Sequence, residues 1–128
     1  MVWKNFPLEM HKDAPAAHLA AAAAAEQGKF WEYHDKLFGN QGKFQKEQLL
    51  QYAKELGLDT KRFQAAIDTA SVKPRIDADV SEAKALGVTG TPAFFVNGKF
   101  LSGAKPFEEF QKVIDAELAR LGKGGPPA

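Results

Sequence analysis

Three imidazoles, His11, His18 and His34, are the only neutral-range titrating side chains in this 128-residue sequence, which contains no cysteine. Disulfide bonding, thiolate catalysis and cysteine-ligated zinc are therefore excluded for these residues. The histidines have no clear carboxylate partner at ligand spacing, so no metal is expected, and no cofactor either. His11 follows a short apolar run ending at Pro7, where the C-terminal end of a strand would face a ligand. Packing against a helix cap is the alternative reading for it. His18 and His34 lie beside apolar stripes and read as core-edge residues. There is no Ser/His/Asp order, and Gly87-Val88-Thr89-Gly90 lacks the lysine and following helix of a phosphate loop. Glu32 and Asp35 beside Lys29 and Lys36, and the run Asp77, Asp79, Glu82, read as solvated helix faces. What remains is backbone chemistry at Gly90-Thr91-Pro92, directly before the β-type run Ala93-Phe94-Phe95-Val96. Proline there removes a ladder donor and fixes φ. On base rate alone it is a trans proline opening an edge strand, since only about 5–6% of X–Pro bonds are cis.

The elements that position these residues follow from spacing and punctuation. Val2 to Phe6 predicts a short strand stopped by Pro7. Asp13 and Pro15 open a helix that runs through six alanines to Gly28. Lys29–Phe38, Glu47–Leu56, a segment capped by Asp59, and one opened by Pro74 and closed by Gly87 each carry apolar residues at helical spacing. Ala93–Val96 and Lys99–Leu101 flank Asn97-Gly98, the strongest short-range hairpin signal because both positions tolerate φ > 0. Pro106 opens a last helix with Phe107, Phe110, Ile114, Leu118 and Leu121 as its expected packing face. Trp3, Trp31, Phe94 and Phe95 read as core aromatics.

Val88-Thr89-Gly90-Thr91-Pro92-Ala93-Phe94-Phe95-Val96-Asn97-Gly98, followed by Leu101-Ser102-Gly103-Ala104-Lys105-Pro106-Phe107, resembles the cis-proline loop, β-hairpin and last-helix start of the thioredoxin superfamily, specifically its DsbA-like branch. Upstream, Asn5-Phe6-Pro7-Leu8 with His11, the stretch Gly28 to Phe38, and Leu56-Gly57-Leu58-Asp59 resemble that branch's second strand and inserted helical subdomain. The resemblance covers about residues 2 to 121. It implies an α/β, thioredoxin-like fold with an inserted helical subdomain, lacking the first strand–helix unit. The expected organisation is a truncated domain over 1–121, with about 14–87 helical, 88–121 holding the cis-proline loop, hairpin and last helix, and 122–128 a disordered tail.

The same resemblance implies a thiol–disulfide oxidoreductase relative whose Cys-x-x-Cys has no counterpart here, so no catalytic residue is assigned. It makes Thr91-Pro92 a cis peptide facing the groove, where Thr91, Pro92, Gly90 and His11 would contact an extended or unfolded polypeptide by main-chain pairing. A non-catalytic, chaperone-like peptide-binding module is one alternative function; a glutathione-dependent isomerase relative is a weaker one. Without a central strand, Val2–Phe6 and Ala93–Val96 would leave unpaired edges, which predicts a homodimer, strand- or domain-swapped. Seventeen basic and 16 acidic residues give a net charge of +1, too little for a strong pull on nucleic acid or anionic membrane. No apolar run is long enough to insert into a bilayer. The family is often periplasmic or exported; Met1 to Asn5 shows no export signal and the compartment stays open.

Overall fold

The computed structural model describes residues 1–122, and the sheet and helices fall into two compact units divided after Gly87. The expected tail falls on residues 123–128, outside the described residues, except for Gly122. The first unit holds α1 (Ala14–Glu26), α2 (Phe30–Gly39), α3 (Lys46–Glu55), α4 (Thr60–Asp68) and α5 (Lys73–Ala85). The second holds β1 (Ala93–Val96), β2 (Lys99–Ser102) and α6 (Phe107–Arg120).

In the first unit α1 is the central rod. Ala20, Ala21, Ala22, Ala23 and Ala24 are all buried, so every face of the helix is covered there. Alanine makes this possible: a side chain of one carbon lets α2, α3, α4 and α5 all pack against the same two turns. Tyr33, Leu49 and Phe63 fill the space beside it, each almost fully buried. Buried hydroxyls need partners, and the Tyr33 OH donates to the Leu49 carbonyl at 2.7 Å, the Tyr52 OH to the Lys43 carbonyl at 2.7 Å. Burial pushes the Tyr33 phenol well above its ordinary range. α4 begins where Asp59 accepts from the backbone N–H groups of Lys61 and Arg62, as the sequence predicts. Asp13, the expected cap of α1, makes no such bond; Pro15 in the first turn opens that helix instead.

The expected strand over residues 2–6 does not form; the segment is irregular. Within the first unit it has no neighbouring strand, and its anchor is a side chain of α5. The Asn5 backbone N–H donates to Asp79 Oδ2 at 2.9 Å, and Asn5 Nδ2 donates to the same oxygen at 2.8 Å. Lys4 adds ion pairs with Asp79 at 3.9 Å and Glu82 at 3.4 Å. Asp79 is thus buried, not part of a solvated acidic face. Likewise Lys36 reaches across to Glu55 of α3 at 2.7 Å, leaving Asp35 beside His34.

In the second unit the hairpin is antiparallel, with Ala93 opposite Ser102, Phe94 opposite Leu101, Phe95 opposite Phe100 and Val96 opposite Lys99. Asn97 and Gly98 have φ of 49° and 83°, the double left-handed turn that matches strand twist. α6 packs on one face of the hairpin, with Phe94 and Phe110 edge-to-face at 4.8 Å. Its expected packing stripe is only partly covered. Phe110 and Leu118 are half-buried, while Phe107, Ile114 and Leu121 stay exposed. The helix is rotated so that Val113 and Glu117 lie nearer the hairpin turn.

Candidate functional site

Gly90, Thr91 and Pro92 form one continuous loop running into β1, and the Thr91–Pro92 peptide is cis. Gly90 is half-buried; Thr91 and Pro92 are exposed. The Gly103 N–H donates to the Pro92 carbonyl at 2.8 Å, which makes Pro92 and Gly103 a bonded pair at the base of the hairpin. In an antiparallel ladder bonded and non-bonded pairs alternate. Phe94 with Leu101 and Val96 with Lys99 therefore turn their amides inward, between the strands. Ala93 and Phe95 turn theirs outward along the free edge of β1, in line with Thr91. The sheet has only these two strands, so among the described residues no neighbour satisfies that edge. Such an edge has the chemistry to pair with an extended main chain: outward N–H and C=O groups at every second residue, with little demand on sequence.

The side chains around it add apolar surface. Phe95 and Phe100 stack at 4.9 Å on the hairpin face away from Phe94, and are 41% and 45% exposed. Phe95 is thus a surface aromatic and not the core residue its sequence context suggests. The same correction applies to Trp3 and Trp31 in the first unit. They pack edge-to-face at 5.9 Å, with His34 5.1 Å from Trp3 and stacked on Phe38 at 4.5 Å, yet remain 39% and 43% exposed.

His11 belongs to the other unit, apart in the chain from Gly90, Thr91 and Pro92. It is exposed on the turn that leads into α1, its N–H donating to the Leu8 carbonyl at 3.0 Å and its carbonyl accepting from Ala14 at 3.1 Å. His18 is half-buried, with Nδ1 2.7 Å from the Ala14 carbonyl; burial holds its pKa below the usual histidine range, and that hydrogen bond opposes the shift. Among the described residues no group of three His, Asp or Glu side chains gathers as a metal site.

Two buried acids escaped the sequence reading. Asp79 occupies a position three residues after Ile76 and one before Val80, inside the apolar stripe of α5. Glu117 of α6 is only 4% exposed, and Arg120 Nε and Nη2 both donate to its Oε2 at 3.0 and 2.8 Å. Those bonds hold its carboxyl below the usual glutamate range. The signal in both cases was an acid standing within an apolar helix stripe.

Comparison with known proteins bears on this arrangement directly. Residues 2–115 match the profile of the DSBA-like thioredoxin domain. A thioredoxin-like oxidoreductase from Silicibacter pomeroyi superposes with a TM-score of 0.80 at 30% identity, covering 92% of this chain and 68% of that one. The thiol-disulfide exchange protein alpha-DsbA2 from Wolbachia pipientis shares the fold with a TM-score of 0.77 at 22% identity, over 91% of this chain and 64% of that one. Curated relatives carry another name. The Na(+)/H(+) antiporter NhaA 1 of Salinispora arenicola is 40% identical over 119 residues, 92% of this chain and 18% of that protein. The NhaA of Herminiimonas arsenicoxydans is 40% identical over 109 residues, again 18% of its length. The chain thus spans less than a fifth of these curated relatives. Since the profile covers most of its length and the structures share its fold, the chain belongs to the DSBA-like thioredoxin domain family.

Proposed function

We propose that these residues form a polypeptide-binding domain of the DsbA-like kind, with no thiol chemistry of their own. The observation that carries the reading is the free edge of β1. Ala93 and Phe95 present outward amides beside the exposed Thr91-Pro92 loop, and Phe95 supplies apolar surface next to them. An extended chain pairs there as an added strand, held by main-chain bonds and by contact with Thr91 and Pro92. Gly90 opens that loop and is a further candidate contact. With zero cysteine, dithiol exchange requires thiols from outside these residues. No helix among the described residues is long and apolar enough to cross a membrane. The antiporter relatives are therefore read as proteins that carry a related domain within a much longer chain. The binding domain is also proposed to self-associate as a homodimer.

The test removes one donor. Proline is tolerated at the first residue of a strand, and the Ala93 N–H makes no bond within the hairpin. Ala93→Pro is expected to weaken binding of a fluorescently labelled, alkylated, unfolded polypeptide by roughly tenfold, about the value of one lost hydrogen bond. Equal binding by Ala93→Pro and the parent, with unchanged circular dichroism, overturns the reading.

A further inference from the structure

The hairpin has a second free edge, and its surroundings differ chemically from those of β1. The alternation that turns Ala93 and Phe95 outward on β1 turns Phe100 and Ser102 outward on β2. Beside this edge an open groove of about 370 Å³ runs between β2 and α6, lined by Lys99, Phe100, Lys112, Val113, Ala116 and Glu117. Its floor is apolar, from Val113 and Ala116, and Phe100 lines its β2 side. Its one acid, Glu117, is buried and already engaged by Arg120. Lys99 and Lys112 are exposed; Lys99 adds its charge to that of Arg120 near Glu117, which leaves cations in excess of the one acid along the groove. The rim is therefore positive.

We propose that the outer edge of β2 and the groove beside α6 bind an extended polypeptide segment that carries carboxylates at alternate residues. Such a segment pairs its main chain with Phe100 and Ser102. Its side chains alternate across the new strand, so acids on the α6 side reach Lys99 and Lys112 while the alternate, small apolar residues lie against the Phe100 ring on the opposite face. Lysines at a sheet edge also serve to repel unwanted strands. The concave apolar floor between the two lysines is what favours binding over repulsion, and charge selects the partner. This site is separate from the Thr91-Pro92 edge and does not rest on it.

The experiment uses the full chain, isotope-labelled for amide NMR. Two short blocked peptides are titrated, one alternating valine with glutamate and one alternating valine with lysine. Shifts are expected at Phe100, Ser102, Val113 and Ala116, with the glutamate peptide roughly tenfold tighter at low salt and the preference shrinking as salt rises. The double variant Lys99→Glu, Lys112→Glu is expected to reverse the preference. If it proves misfolded, Lys112→Gln alone, at an exposed helix position, is expected to reduce it. Equal affinity for both peptides overturns the proposal. So do shifts confined to Thr91, Ala93 and Phe95, an outcome that leaves the β1 reading standing.

Discussion

His18 shows how a single buried base makes folding depend on pH. Its ring is half-buried on α1 and its Nδ1 lies 2.7 Å from the Ala14 carbonyl, a geometry suited to the neutral form with the proton on that nitrogen. Burial lowers its pKa from the ordinary 6.5. Below pH 6.5 the unfolded chain takes up a proton that the folded chain still refuses, so stability falls as pH falls, until the folded pKa is reached. Urea midpoints are expected to drop between pH 7 and pH 5 in the parent. In His18→Gln, which keeps a polar side chain on this face, the drop should be smaller. An equal drop in both would assign it to other groups. His18 was legible as a core-edge residue because its helix pattern is plain. The buried acids were not: the local charge run describes Asp79 as solvated, and no charge run around Glu117 sets it apart. Only the burial of their helix faces, a tertiary fact, makes them structural.

At the scale of elements, the hairpin and the helix boundaries were readable because they depend on local stereochemistry. Asn97-Gly98 accepts positive φ at both positions, and Gly87, at φ 85°, ends α5 in a conformation that side chains resist. The segment 2–6 was misread as a strand because its residues suit one, but a strand exists only with a ladder partner. Here its anchor is instead the Asn5–Asp79 pair, with Trp3 lodged among Phe30, Trp31 and His34. Asp79→Ala strips the acceptor from two donors at once. Leaving such groups unsatisfied costs about 1–3 kcal/mol each, an upper bound here because the segment can detach and find water. The expected loss is about 2 kcal/mol, with faster proteolysis and faster amide exchange confined to residues 1–8. Asp79→Asn, which keeps one oxygen in place, should fall between. Uniform destabilisation without local exposure would argue that Asp79 acts on α5 alone and does not hold the N-terminal segment.

At the scale of the molecule, family and fold were legible because the order of loop, hairpin and last helix survives in sequence. The uncovered surfaces were not, since an apolar stripe does not reveal how far a helix is rotated. Phe107, Ile114 and Leu121 of α6 and its cap are spaced by seven residues, so they lie along one line of the helix. They are 74%, 44% and 49% exposed. A stripe of that spacing is self-complementary about a two-fold axis, since each helix offers the other the same seam. The net charge of +1 leaves little repulsion between copies. A homodimer joined along α6 covers the stripe while leaving both hairpin edges free for polypeptide, so this contact does not need exchanged strands. Sedimentation velocity at micromolar concentration is expected to show a dimer. Ile114→Glu, which sets a charge at the middle of the seam, is expected to raise the dissociation constant by at least about tenfold, through like-charge contact and lost apolar burial. Because Ile114 is nearly half exposed, the monomer released should keep its fold, with circular dichroism unchanged and labelled polypeptide still bound at β1. A folded parent that sediments as a monomer would end the dimer proposal. A parent dimer indifferent to Ile114→Glu would instead move the contact away from α6 and restore strand exchange as its basis.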